Sequence, residues 1–391
     1  MLSRRLAWDL PPNRLAAALA ARRLAGLPVI DLTEANPTRA GLAPPAKELR
    51  VALAAPGAHL YAPDPCGLPS ARAAVADYYA ERGGPVDPAR IFLTAGTSDG
   101  YAWLCKLLAD PGDEILVPAP SYPLLPLLAE LEGIRLVPYP LVWREGTGWR
   151  TDPDALAAAI GPRARAVVVV SPHNPTGAVV DARERAVLDA LCARRGLALI
   201  VDEVFLDYPG DGAPDPLPSA AGTDGEALTF VLSGLSKVAA LPQVKLSWLV
   251  CGGPAPARAR AQSGLELIAD AYLSVGTPVQ LATPALLALR HAAQARIRAR
   301  LRENESWLRE ACAALRSGRL LPREAGWYAL LEGWTGEDEE EWCLARLDED
   351  GLLLHPGYFF DFPRRGYLAL SLLVPPAEFR AGAARLLRHL A

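Results

Sequence analysis

The chain is short of the features that mark several common function classes. Its 391 residues include only six cysteines (Cys66, Cys105, Cys192, Cys251, Cys312 and Cys343), far apart and with no C-x-x-C pair. That spacing suggests neither a zinc site nor a disulfide framework, and it fits a reducing cytosol, so a cytoplasmic protein with no metal is expected. No uninterrupted apolar run is long enough to span a bilayer. The basic opening, Met1 to Pro12, has no apolar h-region, so no signal peptide is read there. A net charge of -4 gives no reason to expect nucleic acid or an anionic membrane as partner. No Gly-x-Gly-x-x-Gly follows an apolar run, which counts against a nicotinamide-dependent oxidoreductase. Internal repeats and low-complexity tails are missing too, and no helix-turn-helix extension points to a regulator.

What is present is apolar residue, 51% of the chain, enough for one large domain and a smaller one. An alanine- and leucine-rich helix is expected over Asn13–Ala25, a short strand over Pro28–Leu32 and a turn-rich connection over Asn36–Pro45. A helix over Ser70–Arg82, a strand over Ile91–Thr94 and a helix over Ser98–Leu108 follow, then a strand over Glu114–Val117 and a helix reaching Glu130. Apolar β-branched runs recur at Ala166–Val170, Ala198–Val201, Leu228–Leu232 and Leu246–Cys251. Short, nearly continuous apolar strands separated by helical stretches predict a sheet buried on both faces, the doubly wound α/β arrangement. Pro278–Ser317 reads as a long helical bridge. The remainder is mixed α+β, with strands at Trp327–Leu331, Leu352–His355 and Tyr367–Leu373, a helix over Glu337–Asp350 and a closing helix.

In open α/β sheets ligands bind beyond the carboxyl ends of the strands. There this sequence places Gly96-Thr97-Ser98, Ser121-Tyr122, Asn174-Pro-Thr-Gly177, Asp202-Glu203 and Ser236-Lys237. The first four each have a plain structural explanation: a helix cap, a packed loop aromatic, a turn, a second cap. Their joint arrival at one edge is what points to a ligand. Lysine usage sharpens this, because the chain has only four lysines, Lys47, Lys106, Lys237 and Lys245. An arginine cannot replace Lys237 as an amine nucleophile, since its guanidinium stays protonated.

These residues carry a resemblance over nearly the full length. Tyr61-x5-Gly67-Leu-Pro-x-x-Arg72, Thr94-Ala-Gly-Thr97-Ser98, Pro120-Ser-Tyr122-Pro, Ser171-Pro-His-Asn174-Pro-Thr-Gly177, Asp202-Glu-Val-Phe205 and Gly234-Leu-Ser236-Lys237, with Lys245 eight residues on, stand in the order of a known family. The chain resembles the class I/II aminotransferases of fold type I. The resemblance implies pyridoxal 5'-phosphate held by Lys237 as a Schiff base, with the same lysine then shuttling the substrate proton. It implies Asp202 on the pyridine nitrogen, Asn174 on the ring 3-oxygen and Tyr122 stacked on the ring. Gly96, Thr97, Ser98, Ser236 and Lys245 take the phosphate, at a helix N-terminus that favours an anion. Tyr61 matches a tyrosine that reaches the phosphate of a neighbouring subunit, so a homodimer with shared sites is implied. The implied divisions are residues 1–40 for an N-terminal arm and part of a small domain, 41–280 for the cofactor-binding domain and 281–391 for the small domain.

Three positions depart from the family pattern. Phe205 stands where a tyrosine commonly donates to the ring 3-oxygen, and losing that hydroxyl raises the pKa of the lysine-bound cofactor. Lys245 replaces an arginine and loses its bidentate fork. Ala369, in Tyr367-Leu-Ala369-Leu-Ser371-Leu, stands where the family carries the arginine that clamps the substrate α-carboxylate. Arg364 and Arg365, just upstream, are either replacements for it or exposed loop cations. The aromatic stretch His355-Pro-Gly-Tyr-Phe-Phe-Asp361-Phe either lines the substrate entrance or packs the small domain. The function expected is transfer of an amino group between an α-amino acid, neutral or aromatic, and a 2-oxo acid. The alternative keeps the cofactor for a lyase, decarboxylase or oxidase acting on an amine or unusual amino acid.

Overall fold

Apolar runs with β-branched residues become strands buried on both faces. In the computed structural model, which describes residues 3, 5–6, 13–315, 318–333 and 338–390, they build one large sheet. Most of the opening segment, and the expected helix ends Ser317 and Glu337, lie outside the described residues. The sheet order is Ile91–Thr94, Ser247–Gly252, Thr229–Gly234, Ala198–Asp202, Ala164–Val170, Glu114–Ala119, Arg135–Arg144 and Gly148–Thr151. Six strands point one way, while Ser247–Gly252 and Gly148–Thr151 run against them.

Alternation along the strands serves two cores. Val167 and Val169 join helices Pro69–Glu81, Ala182–Arg195 and Thr277–Ala288 on one side. Ala166, Val168 and Val170 join helices Thr97–Leu108, Leu124–Glu132 and Ala255–Tyr272 on the other. The helix Thr97–Leu108 lies very close to the sheet at Gly100, where an added Cβ would sit 2.8 Å from Leu232 and 3.2 Å from Leu249. The α/β expectation holds, and the edge hairpin 135–151 is what the sequence pattern missed. Pro138 and Pro140 read as strand breakers. They are tolerated because pairing with the outermost strand starts only at Leu141, so the missing N–H groups fall on an open edge.

A second, antiparallel sheet has the order Arg319–Leu321, Tyr328–Glu332, Tyr367–Ser371, His355–Pro356. Leu330, Tyr367 and Ala369 face the large sheet. Ala329, Leu331, Leu368 and Leu370 face a core shared with helices Arg290–Cys312, Glu339–Asp350 and Pro376–Leu387. The expected bridge is two helices meeting at Leu289, Thr277–Ala288 and Arg290–Cys312. The expected strand Leu352–His355 is divided: Leu352–Leu353 pairs in parallel with Ile30–Asp31, and His355–Pro356 pairs with Tyr367–Ser371. The N-terminal helix, Arg14–Leu24, is capped by Asn13, whose side chain accepts from the Ala16 N–H at 2.7 Å. Among the described residues, no helix is long and apolar enough to cross a membrane and no cluster of His, Cys, Asp or Glu is arranged for a metal ion.

The loop entering the second sheet ties it to the first. Arg323 is buried, donates to the Gly326 carbonyl at 2.7 Å and pairs with Glu305 at 2.5 Å. Ala325 donates to the Gly177 carbonyl at 2.9 Å, and Glu324 accepts from the Val179 N–H at 2.7 Å. Gly177 takes φ +71°, and a Cβ there would come within 2.7 Å of the Ala325 carbonyl, so glycine is required. Arg323→Met leaves the buried Glu305 carboxylate with only the exposed Arg309, 3.8 Å away, as a partner, at an expected cost of about 3 kcal/mol of stability. Urea unfolding checks this, and a loss under about 1 kcal/mol would show that the pair is not what fastens the loop.

Candidate active site

Because six strands run the same way, their carboxyl ends share one edge. Ile91–Thr94 hands over to Gly96, whose extended backbone opens the helix Thr97–Leu108 without a side-chain cap. Glu114–Ala119 leads to Ser121 and Tyr122, the Ser121 N–H donating to the Phe360 carbonyl at 2.7 Å. Ala164–Val170 leads to the Asn174 turn, closed by a Gly177 N–H bond to the His173 carbonyl at 2.8 Å. Ala198–Asp202 ends on the carboxylate itself, and Thr229–Gly234 delivers Ser236 and Lys237 on the short helix Leu235–Val238. The reversed strand Ser247–Gly252 brings its amino end to the same edge, and with it Lys245. Lys245 adopts φ +61°, a left-handed conformation that costs a non-glycine residue energy and recurs at functional positions.

Together these ends line a cleft of about 300 Å³ that holds Gly96, Thr97, Ser98, Tyr122, Asn174, Asp202, Ser236, Lys237 and Lys245. Of the residues implied to bind the cofactor, Tyr61 alone stands apart: it is 81% exposed and borders a separate cavity of about 150 Å³ beside Leu273. Arg364 pairs with Glu332 and bonds the Tyr367 hydroxyl at 2.9 Å, and Arg365 sits 3.6 Å from Asp338. Neither lines the cleft, so exposed loop cations is the correct alternative for both. Of the aromatic stretch 355–362, no residue lines it either; Phe360 joins the core between the sheets, which selects packing over an entrance role.

The electrostatics centre on Asp202. One carboxylate oxygen accepts from the Tyr101 hydroxyl at 3.0 Å and the other from the Val204 N–H at 3.1 Å. Burial pushes this carboxyl up to about 6, against those hydrogen bonds and the nearby Lys237. Near pH 7 the ionised form still dominates. Burial also lowers the Lys237 pKa, with Asp202 opposing. The Lys237 Nζ lies 5.4 Å from the Trp327 ring centre and 5.9 Å from that of Phe205. Those two rings meet edge to face at 5.2 Å, and Tyr208 anchors the lysine backbone by donating to its carbonyl at 2.5 Å.

Sequence reasoning missed several lining residues. Tyr101 is held above its ordinary pKa by burial and by Asp202, and so remains a proton donor to that carboxylate. The signal was its place one helical turn after Thr97, on the same face. Trp327 and Tyr328 enter from the second sheet and Ala35 from the N-terminal loop. Only the packing of the two sheets reveals them.

Comparison with known proteins gives this geometry its family. The model for "Aminotransferase class I and II" matches residues 23–386. The glutamate-pyruvate aminotransferase AlaA of Escherichia coli K12 is 32% identical over 218 residues, 56% of this chain and 53% of that protein, so the match spans about half its length. A probable N-succinyldiaminopimelate aminotransferase DapC of Mycobacterium tuberculosis is 32% identical over 319 residues, 79% of this chain and 77% of that protein. Among solved structures, a single mutant of Thermus thermophilus aspartate aminotransferase superposes with a TM-score of 0.85 at 26% identity, covering 99% of each chain. The chain belongs to the class I and II aminotransferase family.

Proposed function

We propose that this chain transfers an amino group between an α-amino acid, neutral or aromatic in its side chain, and a 2-oxo acid. The observation that carries it is the convergence of Lys237, buried Asp202, Asn174, Tyr122 and an uncapped helix start in one cleft. The family depends on pyridoxal 5'-phosphate, and the cleft fits that group. The helix start offers free N–H groups to a phosphate. A Cβ at Gly96 would lie 3.4 Å from the Lys245 Nζ, so the ammonium stands directly over this cradle. Asn174 lines the cleft and its buried Oδ1, an acceptor, has no partner, while the donor toward a ring oxygen would be its Nδ2.

When bound, the cofactor supplies an aldehyde carbon for the amino group and a pyridine ring that accepts electron density. Lys237 would be the amine that bonds it, since burial lowers its pKa and favours the neutral, nucleophilic form, and the same amine would move the substrate proton. Asp202, fixed by Tyr101 and Val204, would hold its charge toward the pyridine nitrogen. Tyr122 would cover the ring, Asn174 would donate to its 3-oxygen, and Thr97, Ser98, Ser236 and Lys245, all on the cleft wall, would hold the phosphate. Tyr122, Leu124, Leu125, Phe205 and Trp327 support a neutral or aromatic substrate body.

The same proposal includes a homodimer in which Tyr61, exposed in one protomer, serves the partner's phosphate site. It includes a cytosolic location, resting on the cysteine spacing. It also divides the chain at residues 40 and 280, which the separate sheets support. Family and relatives favour transamination over the lyase, decarboxylase and oxidase alternatives.

A donor panel of L-alanine, L-glutamate, L-leucine and L-phenylalanine with pyruvate or 2-oxoglutarate tests the reaction. One keto product should form per new amino acid, and Lys237→Ala should lower turnover at least about hundredfold. Ammonia, carbon dioxide or peroxide without a new amino acid would point to the other reactions instead. Phe205 lines the cleft at the position where, by the family resemblance, a side chain would face the ring's 3-oxygen. Phe205→Tyr adds a donor that stabilises the deprotonated form of the lysine-bound cofactor. The midpoint of the visible absorbance titration should therefore fall by about one pH unit; an unmoved or raised midpoint would contradict it.

A further inference from the structure

Side chains alternate along a strand, so the face that Tyr328 presents to the cleft also carries Leu330. The cross-strand partner of Leu330 is Ala369, and that of Ala369 on its other side is His355. A cationic side chain at 369 would stand one cross-strand diagonal from Tyr328, within reach of the cleft. The row instead offers a methyl group, 1% exposed, beside an imidazole that burial pushes down to about 4 and keeps neutral. Arg364 and Arg365 point elsewhere, as described. The loop that brings Ala35 to the cleft carries Arg39, which pairs with Glu34 at 3.1 Å. Among the described residues lining the cleft, Lys237 and Lys245 are the cations, and both serve the cofactor.

A carboxylate leaving water for this cleft would need charge-assisted donors to offset its desolvation. Such a partner favours the carboxylate-bearing ligand by roughly ten- to a hundredfold. The neighbouring walls, Leu124, Leu125, Phe205 and Trp327, favour an apolar or aromatic body instead. We propose that the cleft accepts primary amines with an aromatic or branched aliphatic body as amino donors, alongside the matching amino acids. This rests on the transaminase reading above. In the reaction the amine carbon loses one proton and two electrons and exchanges its C–N bond for a C=O bond whose oxygen comes from water, becoming an aldehyde. The 2-oxo acid gives up its keto oxygen through water and takes the nitrogen, the two electrons and a proton, so no outside oxidant enters.

The test compares L-phenylalanine with 2-phenylethylamine, and L-leucine with 3-methylbutylamine, as donors to pyruvate on the holoenzyme. Each amine should reach a kcat/KM within about tenfold of its amino acid; a larger preference for the amino acids overturns the inference while leaving the transaminase intact. Turnover of no member of either pair overturns this inference, and if L-alanine and L-glutamate also fail, the transaminase reading goes with it. Calorimetry gives a readout free of turnover: 3-phenylpropanoate and 3-phenylpropanamide should bind within about fivefold of each other, and tighter binding of the acid beyond that contradicts the proposal. Ala369→Arg should shift the kcat/KM ratio toward L-phenylalanine by at least about tenfold, and an unmoved ratio in the folded variant counts against it. If that variant does not fold, the wild-type comparisons decide alone. Arg39→Ala should leave the ratio unchanged; a selective loss of amino-acid turnover would identify Arg39 as the clamp and overturn the proposal.

Discussion

The cleft is organised around one buried carboxylate. Asp202 ends a central strand, out of water, where an unpaired charge costs several kcal/mol. Two hydrogen bonds, from Tyr101 and Val204, restrain it without neutralising it. What remains is an anion that favours a positive partner, and the Lys237 amine is close enough to feel it. A protonated pyridine nitrogen answers the same demand, which is why the carboxylate belongs to the cofactor's reading and not only to the lysine's. Burial makes both groups responsive: it raises the acid and lowers the base, bringing their protonation equilibria nearer neutral pH.

Sheet direction makes this arrangement possible. Five parallel strands place their ends around Asp202, and the reversed strand Ser247–Gly252 adds Lys245 from the opposite sense. A wholly parallel sheet would send that lysine to the far edge. The second sheet then closes the cleft with Trp327 and Tyr328, held in place by Arg323, Glu324 and Ala325 against the Asn174–Gly177 turn and its continuation. Thus the loop that shapes the substrate side and the loop that carries Asn174 are fastened to each other.

Much of this was legible in the residues because strand ends are marked by a change in composition. The register of a continuous apolar run cannot be assigned by eye, but Ala166–Val170 and Ala198–Val201 stop abruptly at polar segments, and Asn174 and Asp202 from those segments line the cleft. The proline-bearing strand Arg135–Arg144 escaped notice because its legality depends on which edge is open, a tertiary fact. Tyr101 escaped because a tyrosine inside an apolar helix looks like core until its hydroxyl is seen to meet Asp202. Ala369 was visible only as a missing arginine. The register with Leu330 and His355 turned that gap into a statement about the cleft's wall. The direction of Ser247–Gly252, and so the reason Lys245 belongs to the site, required the sheet itself.

The claim on which the rest depends is that Lys237 is the amine bonded to the cofactor. Borohydride reduction of the holoenzyme, followed by peptide mass mapping, tests it most directly. A single pyridoxyl label on the peptide containing Lys237 is the predicted result. A label on Lys106 or Lys245 instead, or no label on a protein shown to contain the cofactor, would contradict the account.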